Sequence, residues 1–75
     1  MTASEAKKIV YASLAEHGFN NKLTAKTTYF DGDSRIVVNV LGWTPNPLAD
    51  TIKNEVKHIA PRKILVVFHG NFVQS

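Results

Sequence analysis

The sequence predicts an α+β fold: a two-layer sandwich in which two helices pack on one face of a three-stranded sheet. Three observations support this prediction. Apolar residues recur at helical spacing in residues 3–17 and again between Pro47 and Pro61. Three other segments are rich in β-branched or aromatic residues. Two of these segments are separated by Asp31-Gly32, a strong hairpin signal. The predicted order of elements is αββαβ.

The first helix is predicted over residues 3–17. Thr2 and Glu5 fit a capping box, in which the hydroxyl accepts a hydrogen bond from the first turn and the glutamate reaches back to a free N–H. Gly18 favours the left-handed conformation that commonly ends a helix. Apolar and small residues at helical spacing fill the segment between these two signals.

Two strands are predicted at Lys22–Phe30 and Arg35–Leu41, joined by the turn residues 31–34. Three loops are compatible with this turn: Asp31-Gly32, Gly32-Asp33, or all four residues. Each of them leaves the same side chains on the same face. The face predicted to meet the helices carries Leu23, Ala25, Thr27, Tyr29, Ile36, Val38 and Val40. The other face, called the open face below, carries Lys22, Thr24, Lys26, Thr28, Phe30, Arg35, Val37, Asn39, Leu41 and Trp43.

The second helix is predicted to begin with Asn46 as the N-cap and Pro47 at the first helical position, and to end before Pro61. A third strand follows from Lys63 to Val67, and the pattern allows an extension to Phe72. The alternation in this strand allows either of two sets of residues to face the core. We favour the larger set, Ile64, Val66 and Phe68, which leaves Leu65, Val67 and His69 on the open face.

Composition limits the classes of function. The 75 residues are enough for a single domain, residues 1–75, with a net charge of +3 and no cysteine. The apolar run Ile64–Phe68 is far too short for a membrane span, and the first residues do not have the pattern of a secretory signal. We expect a cytoplasmic protein that does not associate with membranes.

The residue types that support catalysis or metal binding do not occur in a recognisable pattern. We interpret Asp31 and Asp33 as turn residues, because no further carboxylate lies near them in sequence to complete a calcium site. His17 and His58 fall in the last turns of the predicted helices, where a capping role is expected. The sequence also has no phosphate loop and no nucleophile elbow. We therefore expect neither an enzyme nor a metal or cofactor site.

The open face is the candidate binding site. The residues predicted to bind a partner are Lys22, Lys26, Phe30, Arg35, Val37, Leu41 and Trp43. Exposed apolar patches of this kind usually mark interfaces. For Trp43 two interpretations are open: packing beneath the Pro45–Pro47 loop, which we favour because tryptophans are on average well buried, or projection as an anchor for a partner. Four basic residues near the end of the second helix are interpreted as solvated rather than phosphate-binding: Lys53, Lys57, Arg62 and Lys63.

The middle of the chain resembles a known family. Residues 33–38, Asp-Ser-Arg-Ile-Val-Val, are followed by Gly42-Trp43-Thr44 and by a proline before a helix. This pattern resembles a small uncharacterised domain carried by large polyvalent proteins of phages and related mobile elements. The resemblance implies a phage or mobile-element setting, and it carries no functional residue over to this chain.

Two functions are consistent with these features. The first is a small non-catalytic binding protein that contacts a host factor, as an inhibitor or adaptor, or a second copy of itself. The alternative is an RNA- or single-stranded nucleic-acid-binding module. In that case Phe30 and Trp43 would stack on bases, while Lys22, Lys26 and Arg35 would hold phosphates.

Overall fold

The computed structural model describes residues 1–70, except for the side chain of Phe30. The elements are α1 (Ala3–Glu16), β1 (Leu23–Phe30), β2 (Asp33–Val40), α2 (Asn46–Ile59) and β3 (Ile64–Phe68). The αββαβ order and the α+β class are confirmed. The predicted extension of β3 to Phe72 lies outside the described residues.

The three strands form one mixed sheet with β2 in the centre. Strand β1 is antiparallel to β2, whereas β3 is parallel to it. Since parallel neighbours cannot be joined by a tight hairpin, the chain crosses from β2 to β3 through α2. Within residues 1–70, β1 and β3 are the edge strands of this sheet.

The hairpin turn is the two-residue loop Asp31-Gly32. Phe30 pairs with Asp33, which is the first of the three predicted loops. Asp31 and Gly32 both have positive φ angles, +48° and +85°, as a type I′ turn requires. The interpretation of Asp31 as a turn residue is confirmed, whereas Asp33 is already the first residue of β2. The turn fixes which side chains share a face.

The two helices begin differently. At α1 the predicted capping box is present: the Glu5 N–H donates to Thr2 Oγ1 at 3.2 Å, and the Thr2 N–H donates to Glu5 Oε1 at 2.8 Å. At α2 the predicted N-cap is wrong, because Pro45 occupies that position and Asn46 is already helical. Pro47 is then the second helical residue, where a missing N–H is also harmless because the first four N–H groups of a helix have no partner within it.

The core lies between the sheet and the two helices. It contains Ala6, Val10 and Leu14 from α1, Ile36, Val38 and Val40 from β2, Ile52 and Val56 from α2, and Val66 from β3. Ile64 and Phe68 pack against this cluster, which confirms the predicted orientation of β3. Both helices therefore cover the same face of the sheet.

The prediction that Tyr29 faces the core is wrong, since 75% of this residue is exposed. The register places it on the predicted face, opposite Ser34. Leu23 and Ala25, nearer the start of β1, do pack against the core cluster. The packed core thus does not reach the end of β1 that leads into the hairpin turn. The alternation of side chains between the two faces does not indicate where the core ends along the strand.

Candidate binding surface on the open sheet face

The strand register gathers the predicted binding residues on one surface. Lys26 lies beside Val37, which in turn lies beside Leu65, and Asn39 lies beside Val67. Side-chain alternation places Arg35 and Leu41 on the same face. The apolar members, called the apolar strip below, are Val37, Leu41, Leu65 and Val67. Phe30 belongs to β1, but its side chain lies outside the described part of the structure.

The apolar strip is partly open to solvent and bordered by positive charge. Leu65 is 43% exposed and Leu41 is 38% exposed, while Val37 and Val67 are half-buried. Lys22 and Lys26 are exposed along β1, and Arg35 is half-buried near the turn. Asp33 is the acidic residue that alternation places on this face, at its turn end. The surface thus combines apolar area with a mainly basic border.

Trp43 projects into solvent from the end of this face. It is 67% exposed, so the favoured prediction that it packs beneath the Pro45–Pro47 loop is wrong. The physical reason is its neighbour: Thr44 is completely buried and occupies the inward position of this short segment. The anchor interpretation, which the sequence left open, is the one compatible with this geometry.

The loop that carries Trp43 is held from two sides. On one side the side-chain amide of Asn21 donates to Leu41 O at 2.9 Å, and it lies 3.3 Å from Trp43 O and 3.4 Å from Thr44 Oγ1. On the other side Gly70 approaches so closely that a Cβ there would lie 2.2 Å from Gly42 O. The indole is therefore presented on a braced backbone.

A polar chain also crosses the open face. The Asn39 amide nitrogen donates to Thr24 Oγ1 at 3.3 Å, so its oxygen is left to accept from His69 Nε2 at 2.6 Å. The chain links β1, β2 and the residue after β3 on the same face as the apolar strip.

A second polar cluster lies away from this face, between the helices. The Ser13 hydroxyl donates to Glu55 Oε1, and His17 Nε2 lies 3.4 Å from Glu55 Oε2. The hydrogen bond from Ser13 lowers the pKa of Glu55, with a smaller contribution from His17 that also lowers it, while burial opposes the shift. His17 occupies the C-cap position of α1, in agreement with the predicted capping role, and its side chain additionally contacts Glu55 of α2.

In this second cluster the Glu55 carboxylate lies between Ser13 and His17, so the imidazole contacts the carboxylate and not the serine hydroxyl. Within residues 1–70, no group of three His, Asp or Glu side chains could hold a metal ion. Neither helix in this part of the chain has the length and apolar character that crossing a bilayer requires.

The sequence predicted His69 on the open face but not its hydrogen bond to Asn39, and it did not indicate Asn21 or Gly70 as parts of the surface. Their partners are distant in sequence, for example 20 residues between Asn21 and Leu41 and 30 between His69 and Asn39. No local pattern indicates such contacts. The available signals were Asn21 shortly before β1 and Gly70 shortly after β3. Neither is specific, because asparagine and glycine are also common in ordinary turns.

Comparisons with known proteins show a shared fold. No family model matches the chain, and no curated protein matches it. The chain is similar to part of a crystal structure of an acyl-CoA synthetase (AMP-forming)/AMP-acid ligase II-like protein from Dyadobacter fermentans, with a TM-score of 0.71 and 10% sequence identity. The similarity covers 100% of this chain but 23% of that one. At this identity the likeness concerns the fold alone.

Proposed function

We propose that this chain is a small, non-catalytic binding protein that contacts another protein through its open face. The observation that carries the proposal is Trp43, 67% exposed on a loop held by Asn21 and Gly70, at the end of the apolar strip. Tryptophan is among the residues most enriched in interface hot spots. Because the loop is already braced, binding would order little additional backbone, which favours affinity.

The charge around the apolar strip indicates the kind of partner. Lys22, Lys26 and Arg35 border it, so a partner with an acidic rim around an apolar centre would be complementary. In the phage or mobile-element setting that the resemblance implies, such a partner would be a host factor. A second copy of this chain is the other candidate, although its own basic border would face a like charge.

One observation favours the second candidate function, binding of single-stranded nucleic acid. The Leu41 N–H bonds the Lys22 carbonyl at 2.9 Å, which places this exposed lysine close to the Trp43 loop. An exposed indole and an exposed lysine on neighbouring backbone segments could stack on a base and hold a phosphate. Against this candidate, Val37 and Val67 are half-buried apolar residues that suit a dry interface better than a wet one.

The test is a comparative affinity capture from nuclease-treated host lysate. Wild-type protein, Trp43→Ala and the control Tyr29→Ala are immobilised at equal density, and captured proteins are quantified. Tyr29 is a matched control because it is an equally exposed aromatic residue on the opposite face. We expect a defined protein to be retained by wild type and Tyr29→Ala and lost with Trp43→Ala. Identical capture by all three would contradict the proposal.

Two further measurements separate the alternatives. Light scattering over a concentration series, with Val37→Lys as the comparison, detects self-association through the open face. Titration of a labelled single-stranded oligonucleotide at two salt concentrations tests nucleic-acid binding, which predicts an affinity that falls steeply with salt. Capture that occurs in untreated lysate but is absent from the nuclease-treated lysate, together with such a salt dependence, would favour the second candidate.

A further inference from the structure

A basic cleft lies at the turn end of the sheet, away from Trp43. It is formed by the start of β2 on one side and by the segment between α2 and β3 on the other. The charged residues that line it are Asp33, Arg35, Arg62 and Lys63. A backbone hydrogen bond from the Ile36 N–H to Lys63 O, 2.9 Å long, joins the two sides. The cleft is therefore a fixed feature of the sheet end.

The backbone at Arg62 is unusual for an arginine. The Lys63 N–H donates to Ala60 O at 3.2 Å and closes a turn with Pro61 and Arg62 at its centre. Arg62 has a φ angle of +63°. Proline followed by a residue of positive φ is the type II pattern, in which the second central position strongly favours glycine. An arginine there is held in a conformation that L-residues rarely adopt.

Such an outlier is a reason to ask what the side chain does, since strained backbone positions cluster at functional sites. Arg62 lines the basic cleft together with Arg35 and Lys63. The sequence predicted that Arg62 and Lys63 are solvated, as residues near the C-terminal end of a helix dipole. The parallel pairing of β2 with β3 brings them to the same end of the sheet as Arg35, which is 27 residues before Arg62 in the chain.

We propose that this cleft binds a phosphate group. The exposed Arg62 guanidinium offers planar, forked donors that match phosphate oxygens, the exposed Lys63 ammonium adds a point charge, and the half-buried Arg35 adds positive charge to the cleft. Three positive charges and the one carboxylate of Asp33 give a local sum of +2. That sum matches the charge of about −1.5 to −2 that a phosphate monoester carries at pH 7. The site goes beyond the proposed function, because Arg62 and Lys63 are not residues of the open face and Trp43 lies at the opposite end of β2, although Arg35 borders both surfaces.

The test is an NMR titration of the ¹⁵N-labelled protein with inorganic phosphate, compared with sodium chloride at equal ionic strength. We expect saturable shifts at the amides of residues 32–35 and 62–63 with phosphate and not with chloride. The key variant is Arg62→Gly, which removes the guanidinium but supplies the residue that the turn prefers. We expect its affinity for phosphate to fall at least about tenfold, while its melting temperature stays equal or rises.

Two more variants complete the test. Asp33→Asn removes the opposing carboxylate and should strengthen phosphate binding, whereas the control Lys8→Gln removes one exposed charge from α1 and should change it less than about twofold. Shifts that are scattered over all lysines, or that chloride reproduces, would overturn the proposal, as would an unchanged affinity in Arg62→Gly.

A second NMR titration, with a short oligothymidylate that has no terminal phosphate, distinguishes a nucleic-acid backbone from a free phosphate as the ligand. Tighter binding of the oligothymidylate than of inorganic phosphate, lost in Arg62→Gly, assigns the cleft to a nucleic-acid backbone. Tighter binding of inorganic phosphate, lost in the same variant, assigns it to a free phosphate or small phosphate ester. Repeating the titration with Trp43→Ala keeps the two proposals separate, because the cleft should be unaffected by that change.

Discussion

Replacing Asn21 by alanine removes the side chain that holds the Trp43 loop. The amide group has two N–H donors and three acceptors within reach, so it satisfies two hydrogen bonds at a time. At about 0.5–1.5 kcal/mol for each hydrogen bond, the loss amounts to about 2 kcal/mol. A 75-residue domain has a total stability of about 4–11 kcal/mol, so this is a large fraction. It corresponds to a fall in melting temperature of about 10 °C.

The assay is thermal and urea denaturation of Asn21→Ala, followed by circular dichroism and by the fluorescence of the chain's single tryptophan. The control is Asn20→Ala, which removes an exposed amide one residue earlier and should change stability by less than about 0.5 kcal/mol. If Asn21→Ala were as stable as Asn20→Ala, with unchanged acrylamide quenching of Trp43, the loop would not depend on this amide and the reasoning would be refuted.

Three further predictions concern packing, strain and pH. Gly70→Ala places a Cβ 2.2 Å from Gly42 O, so the backbone must move; we expect a loss of about 1–3 kcal/mol in urea denaturation and altered tryptophan emission. Leu14→Ala leaves a cavity in the core and should lower the free energy of unfolding by about 2–5 kcal/mol in the same assay. The pKa of Glu55 is lowered in the folded state, so its contribution to stability is present above the unfolded-state pKa and is lost as pH falls through the folded-state pKa. The stability difference between wild type and Glu55→Gln should therefore shrink on acidification, and a difference independent of pH would contradict this.

Local signals in the sequence were sufficient for most of the fold. The capping box at Thr2 and Glu5, the Asp31-Gly32 turn and the period-two pattern of β2 each depend on residues only a few positions apart. Such signals act through hydrogen bonds and backbone conformations that neighbouring residues determine by themselves. They fixed the order of the elements and the division of side chains between the two sheet faces.

The features that local signals could not predict are long-range contacts. The exposure of Trp43 depends on Thr44 taking the buried position and on Asn21 and Gly70 bracing the loop. Which residues meet at the basic cleft likewise depends on the pairing of β2 with β3. The prediction that Tyr29 is buried was wrong for a related reason. How far the helices cover the sheet is a property of the assembled fold, which alternation within one strand does not reveal. The sequence therefore predicted which strand residues share the open face, but it did not predict that Trp43 is exposed.

We propose Trp43 as the contact point for a protein partner. Because Trp43 is the single tryptophan, protein labelled with 5-fluorotryptophan gives one ¹⁹F resonance that reports on this residue alone. The measurement is the ¹⁹F spectrum during titration with the protein that wild type captures and Trp43→Ala does not. The account predicts that the Trp43 resonance shifts and broadens to saturation as the complex forms. A complex detected by light scattering while this resonance stays unchanged would contradict it.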